Sequence, residues 1–326
     1  MRPMFKNLIL FLSAISLISC GGGGGSSSPV IVDTPIPSSP EYTETCSLYT
    51  GTTYKCEFTH KGLERFYLIQ DKHPQATGSS SVLFVLHGYG STAANIMNYS
   101  NFRNYTYTED NNFISIFPQG APMNTALASS SSHWNSGGWT VGSEVDDVDF
   151  IEVVLKLVSE KSNINSNRVY STGMSNGGFM SYHLACNLSS KFAAISSVTG
   201  SMSNETFEDC NPSHATAILQ IHGALDGTVP YTGNSALGMK SIEDVLNYWK
   251  NYNSCSSPST TTTDYFDNSL SVEHRVYDSC MNSVQVELYK ISNMPHTWPS
   301  AATYGISATD KIWAFINSYD INGKIN

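Results

Sequence analysis

A single serine stands between glycines in the stretch Gly173-Met-Ser175-Asn-Gly177, directly after the β-branched and aromatic run 167–172. In a chain with 24 glycines this spacing also arises by chance, so its context decides its meaning. Here the motif lies between a predicted strand and a predicted helix. A sharp turn at that junction lifts the serine hydroxyl above the sheet, and the glycines avoid contacts that a Cβ would make. Ser175 is therefore a candidate nucleophile.

A serine hydroxyl is a poor nucleophile at neutral pH, so a base must take its proton and a carboxylate must orient that base. On a sheet of this type the order along the chain is serine, acid, histidine, each in a loop after a strand. Asp226 follows the apolar strand 217–221, and His296 lies in the loop 292–299 after the last strand. We therefore predict a catalytic triad of Ser175, Asp226 and His296.

Two backbone N–H groups are candidates for binding the oxyanion that forms when the serine attacks a carbonyl. Asn176 follows the nucleophile and presents its N–H at the positive end of the next helix. The second donor is expected in the loop after strand 81–86, where glycines let the backbone approach a substrate oxygen. We predict the N–H of Tyr89 for this role, with that of Gly90 as the alternative.

Four other titratable residues are given structural interpretations. Asp146 and Asp147 begin a predicted helix, where the helix dipole favours acidic side chains, and a role near the site is the alternative. His87 and His222 each precede a glycine at a strand end and are interpreted as packing or turn residues.

Five motifs stand in order along the chain: His87-Gly-Tyr-Gly90, Val145-Asp-Asp-Val148, Gly173-Met-Ser-Asn-Gly-Gly178, the segment with His222-Gly and Asp226, and His296-Thr-Trp-Pro299. Together, over roughly residues 60–318, they resemble the secreted esterase family of polyhydroxybutyrate depolymerases and feruloyl esterases. The resemblance implies an α/β-hydrolase fold, hydrolysis of carboxylic esters through an acyl-enzyme and no cofactor. The catalytic serine, aspartate and histidine of the family map onto Ser175, Asp226 and His296. At Tyr89 many relatives have another residue, often cysteine, which alters the pocket wall but not the backbone donor.

The resemblance implies two classes of ester substrate. The first is hydroxyalkanoate oligomers or polyester, and the second is feruloyl or acetyl esters of plant polysaccharide. In both classes the substrate is expected to be a small molecule or an oligomer. Trp298 and Trp134 are predicted substrate contacts because pocket walls are usually apolar and aromatic. Two alternatives remain: a peptidase of the same fold, and a non-catalytic surface-binding lipoprotein.

Short apolar runs alternate with amphipathic segments along the chain. Strands are predicted at 54–59, 63–70, 81–86, 113–117, 168–170, 192–195, 217–221 and 284–291. Helices are predicted at 92–99, 176–187, 240–252 and 307–319, and after Asp146. This alternation predicts an α/β protein with a mainly parallel sheet and helices on both faces, and the first two strands form an antiparallel edge.

The N-terminus has the features of an export signal. Residues 1–19 combine a positive start with a short apolar run, and the run ends at Cys20 in a pattern that resembles a bacterial lipobox. We therefore expect a lipidated Cys20, a flexible Gly/Ser/Pro linker over 20–41 and one catalytic domain over 42–326. The protein is expected to be exported and lipid-anchored, in the outer membrane of a Gram-negative bacterium, or secreted.

The net charge indicates which partners the protein can bind, and the cysteine content indicates whether it forms disulfides or binds a metal. A net charge of −10 argues against nucleic acid, and the lipid is the expected link to a membrane. Without Cys20 the six remaining cysteines are an even set in an exported chain, and sequence permits 15 connectivities. Pairing of chain neighbours is predicted: Cys46–Cys56, Cys186–Cys210 and Cys255–Cys280. Because no metal-ligand spacing of cysteine or histidine occurs, no metal is expected.

Overall fold

The structure, a computed structural model, describes residues 41–71, 77–106, 112–125, 128–138, 140, 142–256, 259–266 and 269–325. The chain divides between Glu41 and Tyr42, and the second unit contains the elements below. The predicted signal peptide and Cys20 lie outside the described residues. Within those residues, none of the helices combines the length and the apolar character that crossing a membrane requires.

The strands of the described residues are β1 Thr45–Thr50, β2 Thr53–His60, β3 Leu63–Gln70, β4 Ser80–Leu86, β5 Phe113–Pro118, β6 Ala121–Thr125, β7 Ala128–His133, β8 Ile164–Met174, β9 Ala194–Val198, β10 Ala217–Gly223, β11 Thr260–Tyr265, β12 Ser271–Tyr277, β13 Val286–Ile291, β14 Tyr319–Asp320 and β15 Gly323–Lys324. One sheet has the order β1-β2-β3-β5-β4-β8-β9-β10-β13-β12-β11. Its centre, from β5 to β13, is parallel, and both flanks are antiparallel. The predicted parallel centre and the predicted antiparallel edge at the first strands are confirmed, and the sheet as a whole is mixed.

The helices are α1 Ala93–Ser100, α2 Phe102–Thr106, α3 Asp147–Lys161, α4 Asn176–Asn187, α5 Asn204–Asp209, α6 Ile242–Tyr252, α7 Ala301–Tyr304 and α8 Ala308–Ile316. They cover both faces of the sheet, as predicted. Along β4, Val82 and Phe84 pack into the core that contains α3, α4 and α6. Leu83 and Val85 point the other way, into the core that contains α1, α2 and α8. Because both faces are covered, the central strands are apolar throughout.

Three strands at the edges of the sheet have no counterpart in the sequence prediction. They are β1, β11 and β12, and every residue of β1 and β11 is exposed. Segment 260–277 is polar, and an edge strand with water on both faces shows neither an apolar run nor a clear alternation. Hydrophobic periodicity therefore gives no signal for these strands.

Three disulfides join the cysteines in pairs of chain neighbours: Cys46–Cys56, Cys186–Cys210 and Cys255–Cys280. The first staples the exposed strand β1 to β2. The second ties the end of α4 to the end of α5, and the third ties the segment after α6 to the segment after β12. Each disulfide closes a loop of the chain and so lowers the conformational entropy of the unfolded state.

The two aspartates at the start of α3 have different environments. Asp146 is the N-cap, exposed to water, with its Oδ2 2.6 Å from Lys61 Nζ. Asp147 is buried and pairs with buried Arg65, whose Nη2 lies 2.7 Å from Asp147 Oδ1. The guanidinium also lies over the Phe150 ring, 3.7 Å from its centroid. The helix-start interpretation describes Asp146, whereas Asp147 is half of a buried ion pair.

Replacing Asp147 with asparagine should destabilise the domain strongly, because Arg65 would remain as a buried charge without its counterion. Breaking one partner of such a pair typically costs about 3–5 kcal/mol of unfolding free energy. The neighbouring replacement Asp146→Asn is the matched control, since asparagine also caps helices well. Urea unfolding of both variants tests this, and equal stability of the two would contradict the role given to the ion pair.

Candidate active site

Ser175 lies on the turn between β8 and α4, as the sequence motif predicts. Its backbone has φ 56° and ψ −122°, an unfavourable conformation for a residue with a Cβ. The turn is held on both sides: the Ser175 N–H donates to the Val198 carbonyl at 2.9 Å, and its carbonyl accepts from the N–H groups of Gly178 and Phe179. These hydrogen bonds hold the backbone of Ser175 in its strained conformation.

The glycine at position 177 is required by close packing. A Cβ there would lie 2.2 Å from the carbonyl oxygen of Leu86 and 2.8 Å from that of His87. The first turn of α4 therefore packs directly on the end of β4. This contact places the nucleophile turn beside the loop that follows β4.

Asp226 and His296 meet at the carboxyl edge of the sheet, because β10 and β13 are adjacent parallel strands. His296 Nδ1 lies 2.8 Å from Asp226 Oδ2. The other carboxylate oxygen accepts the N–H groups of Thr228 and Val229, each at 2.9 Å. The structure thus brings the predicted acid and base together.

The carboxylate of Asp226 is buried and ionised. Burial alone would raise the pKa of Asp226, but the hydrogen bonds from His296 and from the Val229 N–H outweigh it, and the pKa lies below its ordinary value. A carboxylate only accepts, so the Nδ1 of His296 carries a proton towards Asp226. The Nε2 of the neutral ring is then the atom that can accept one.

Ser175 and His296 line one pocket of about 260 Å³. Among the described residues no hydrogen bond joins the Ser175 hydroxyl to the imidazole. Catalytic hydrogen bonds in ligand-free enzymes are often long and tighten only when substrate binds. The three predicted triad residues therefore lie at one site, with the Asp226–His296 contact formed.

The two segments that carry the predicted oxyanion donors lie next to Ser175. Asn176 is the first residue of α4, where an N–H has no acceptor within the helix. The loop with Tyr89 passes close by, since a Cβ at Gly88 would be 3.4 Å from the Ser175 Cβ. The Gly90 N–H donates to the Ser132 carbonyl at 2.8 Å, so this alternative donor is occupied.

Both tryptophans predicted to contact substrate are buried packing residues. Trp134 has no exposed surface, and its indole N–H donates to the His87 carbonyl at 2.9 Å. Trp298 is 6% exposed, packs against Phe102 and donates from its indole to Thr309. The prediction was wrong because a large aromatic in a loop near the base can as readily fill the core as line the pocket.

The pocket walls that sequence reasoning missed come mainly from α1. Asn95, Ile96 and Tyr99 fall on one face of this helix and line the pocket, together with Ser91 and Met174. A signal was present in the sequence, because spacings of three and four after the oxyanion loop predict one shared helix face.

His222 lies beside the acid as a buried, neutral packing residue, consistent with its interpretation. Its Nε2 bonds the Val229 carbonyl at 2.8 Å, and its Nδ1 lies 2.9 Å from Gln220 Nε2. Burial lowers the pKa of His222 to about 4. The ring therefore holds the loop after Asp226 without adding charge.

One cluster of possible metal ligands occurs among the described residues. It consists of Glu44, Cys46 and Cys56, and its two sulfur atoms are joined in a disulfide. They are therefore not available as thiolate ligands.

Comparison with protein families matches residues 72–263, more than half of the chain, to the family described as Phospholipase/Carboxylesterase. The matched segment contains Ser175 and Asp226 and ends before His296. Among solved structures, an acetyl xylan esterase from Aspergillus awamori has a TM-score of 0.56 at 15% identity, covering 78% of this chain and 94% of that one. The predicted α/β-hydrolase fold is confirmed.

Curated relatives include feruloyl and acetylxylan esterases. A probable feruloyl esterase C from Aspergillus clavatus is 29% identical over 165 residues, which is 50% of this chain and 54% of the relative. A bifunctional acetylxylan esterase/xylanase from Neocallimastix patriciarum is 23% identical over 252 residues, or 76% of this chain and 32% of the relative. The chain thus spans about half or less of these relatives. The predicted resemblance to esterases is confirmed.

Buried neutral histidines should make the fold sensitive to acid. Burial lowers the pKa of both His87 and His222 to about 4, whereas histidine in an unfolded chain titrates near 6.5. As the pH falls below about 6.5, the unfolded chain gains protons at these positions that the folded chain does not. The free energy of unfolding should fall by about 1.4 kcal/mol per pH unit for each histidine. Urea unfolding between pH 7 and pH 5, above most carboxylate titration, measures this slope.

The variant His87→Gln tests how much of the pH slope of the unfolding free energy comes from His87. Glutamine keeps a donor and an acceptor but does not titrate, so the slope should decrease by the contribution of one proton. If the slope of the variant equals that of the wild type, His87 binds a proton as readily in the folded protein as in the unfolded chain, which would contradict the lowered pKa.

Proposed function

The chain belongs to the phospholipase/carboxylesterase family, and we propose that it is a serine hydrolase of carboxylic esters. The observation that carries this proposal is the 2.8 Å contact between His296 Nδ1 and Asp226 Oδ2, beside a pocket that Ser175 and His296 share. An ionised acid that orients a neutral histidine next to a serine on a strained turn is the arrangement that activates a hydroxyl.

In the proposed reaction, His296 Nε2 takes the proton of Ser175 as Oγ attacks the ester carbonyl carbon. The carbonyl oxygen becomes an oxyanion and accepts hydrogen bonds from the N–H groups of Tyr89 and Asn176. When the intermediate collapses, His296 protonates the departing alcohol and the acyl group stays on Ser175. Water, deprotonated by His296, then releases the acid. Each N–H donor typically stabilises such a transition state by about 3 kcal/mol.

For the substrate we propose feruloyl or acetyl esters of plant polysaccharide, as the names of the relatives suggest. The pocket supports small acyl groups: its volume of about 260 Å³ lies just below the range of roughly 300–1,000 Å³ common for drug-sized ligands. Tyr89 and Tyr99 are two of its walls and supply aromatic surface. This volume admits an acetyl group or a single ring.

We further propose that the domain works outside the cytoplasm, tethered through a lipid on Cys20. The three disulfides support the location, because such bonds form and persist in oxidising compartments. Labelling of cells with a radioactive fatty acid tests the anchor: Cys20→Ala should lose the label that the wild type carries.

Replacing Ser175 with alanine should remove ester hydrolysis, because no other group takes the place of its Oγ. Turnover of p-nitrophenyl acetate is expected to drop by at least about 10⁴-fold, and a fluorophosphonate probe should label the wild type at Ser175 only. Ser197→Ala is the matched control, since Ser197 is a buried serine whose hydroxyl has no hydrogen-bond partner among the described residues. Near-normal turnover by Ser175→Ala would refute the nucleophile.

A panel of esters should rank substrates by acyl size. A hydroxybutyrate trimer is included as the substrate of the polyester class. Methyl ferulate, acetylated xylan and p-nitrophenyl acetate are expected to be hydrolysed with higher kcat/KM than p-nitrophenyl dodecanoate. The reason is that the pocket accommodates a short acyl group or one ring. Faster hydrolysis of the hydroxybutyrate trimer would instead assign the protein to the polyester class.

A further inference from the structure

Trp134 contacts both segments that carry the proposed oxyanion donors. Its indole Nε1–H donates to the His87 carbonyl at 2.9 Å, directly before the Gly88–Tyr89 peptide. Its main-chain N–H donates to Asn176 Oδ1 at 2.7 Å, and its carbonyl accepts from Asn176 Nδ2 at 3.0 Å. Each polar group of this wholly buried residue is therefore used on one of the two segments.

On the first segment, the neighbouring histidine fixes the direction of the donor. Gly120 N–H donates to His87 Nε2 at 2.9 Å, so the ring proton is on Nδ1, which donates to the Gly88 carbonyl at 2.8 Å. The Ser91 N–H donates to the same oxygen at 3.1 Å. In a planar trans peptide the C=O and the following N–H point in opposite directions. Holding the Gly88 carbonyl therefore fixes the direction of the Tyr89 N–H.

The indole supports this histidine from both its ring and its N–H group. The His87 and Trp134 rings pack with centroids 5.0 Å apart, and the indole N–H holds the main chain of His87. Burial lowers the pKa of His87 to about 4, in agreement with the neutral ring that the hydrogen bonds require. The ring therefore stays neutral across the neutral pH range, and its hydrogen bonds select the tautomer.

On the second segment, the side chain of Asn176 is clamped by the main chain of Trp134. The two hydrogen bonds form a closed pair, and Nδ2 also lies 3.3 Å from Ser136 Oγ. Asn176 begins α4, so fixing its side chain fixes the peptide that presents its N–H beside Ser175. The positive end of the helix adds to that donor.

We propose that Trp134 is a positioning residue that holds both oxyanion donors in register with Ser175. This inference rests on the proposed esterase function. It also gives the indole a role different from substrate contact, since Trp134 is fully buried. Oxyanion stabilisation depends on donors fixed before the reaction, and a misplacement of about 1 Å can cost about 10²-fold in rate.

The test compares two buried tryptophans. Trp134→Phe keeps most of the ring packing but removes the N–H that bonds His87. Trp249→Phe is the matched control, because Trp249 is equally buried and its indole N–H has no partner among the described residues. With p-nitrophenyl acetate, Trp134→Phe should lower kcat by about 10–100-fold with little change in KM, whereas Trp249→Phe should keep the wild-type kcat.

A transition-state mimic separates positioning from general damage. In a trifluoromethyl ketone, Ser175 Oγ adds to the carbonyl carbon, His296 takes the hydroxyl proton and the ketone oxygen becomes an oxyanion. Its inhibition constant should rise for Trp134→Phe by about the same factor as kcat/KM falls, because the oxyanion donors act on both. The inhibition constant of the alcohol that corresponds to the ketone, which has no carbonyl group and forms no oxyanion, should not change. Equal loss of affinity for both inhibitors would overturn the positioning role.

A second variant keeps the test decisive if Trp134→Phe does not fold. Asn176→Ala keeps the backbone N–H but breaks the clamp, and it should reproduce the loss in kcat and in ketone affinity. Wild-type values of both for folded Asn176→Ala would overturn the proposal. Failure of the proposed function is distinguishable, because then the wild-type protein itself would neither hydrolyse esters nor bind the ketone.

Discussion

The geometry of the site depends on one close packing contact, between the first turn of α4 and the end of β4. Position 177 lies two residues after the nucleophile, and it rests on the carbonyl groups of residues 86 and 87. Tyr89 lies two residues beyond that point of contact. Because main chain touches main chain there, the distance between Ser175 and the segment of the proposed second oxyanion donor is set by atoms that cannot change rotamer. A side chain at Gly177 would separate them, whatever the other residues of the site were.

The carboxylate of Asp226 brings a buried negative charge to the site. Asp226 is buried, but three donors on its two oxygens keep it ionised. The other buried imidazoles nearby, of His87 and His222, are neutral and each bonds a main-chain carbonyl. A second positive charge close to Asp226 would compete with His296 for the carboxylate. Of these three histidines, His87 and His222 hold loops, and His296 is the one proposed to transfer protons.

Sequence reasoning predicted the parallel centre of the sheet and the residues that meet at its edge, Asp226 and His296, because both follow from local rules. Parallel strands bring their carboxyl ends to one edge, so residues placed after apolar strands must converge there. The exposed strands β1 and β11 escape such rules, since nothing in their sequence has to face a core. The two tryptophans show a second limit of sequence reasoning. The residue type indicates that an indole prefers an apolar environment, but it does not indicate whether that environment is a pocket or the protein interior. The role of His87 depends on Gly120, 33 residues away, and no local pattern relates the two.

The motif Val145-Asp-Asp-Val148 takes no part in the proposed reaction, and the structure gives it a physical role. Asp147 accepts the Asn135 N–H at 2.8 Å, directly after Trp134, while its partner Arg65 donates to the Gln119 carbonyl beside Gly120. The buried ion pair thus holds the two loops that support His87 and the clamp on Asn176. A charge pair is costly to bury, and hydrophobic residues would stabilise the core equally well. What an ion pair adds is direction, because its hydrogen bonds fix where those two loops lie, and the direction of the oxyanion donors follows from them.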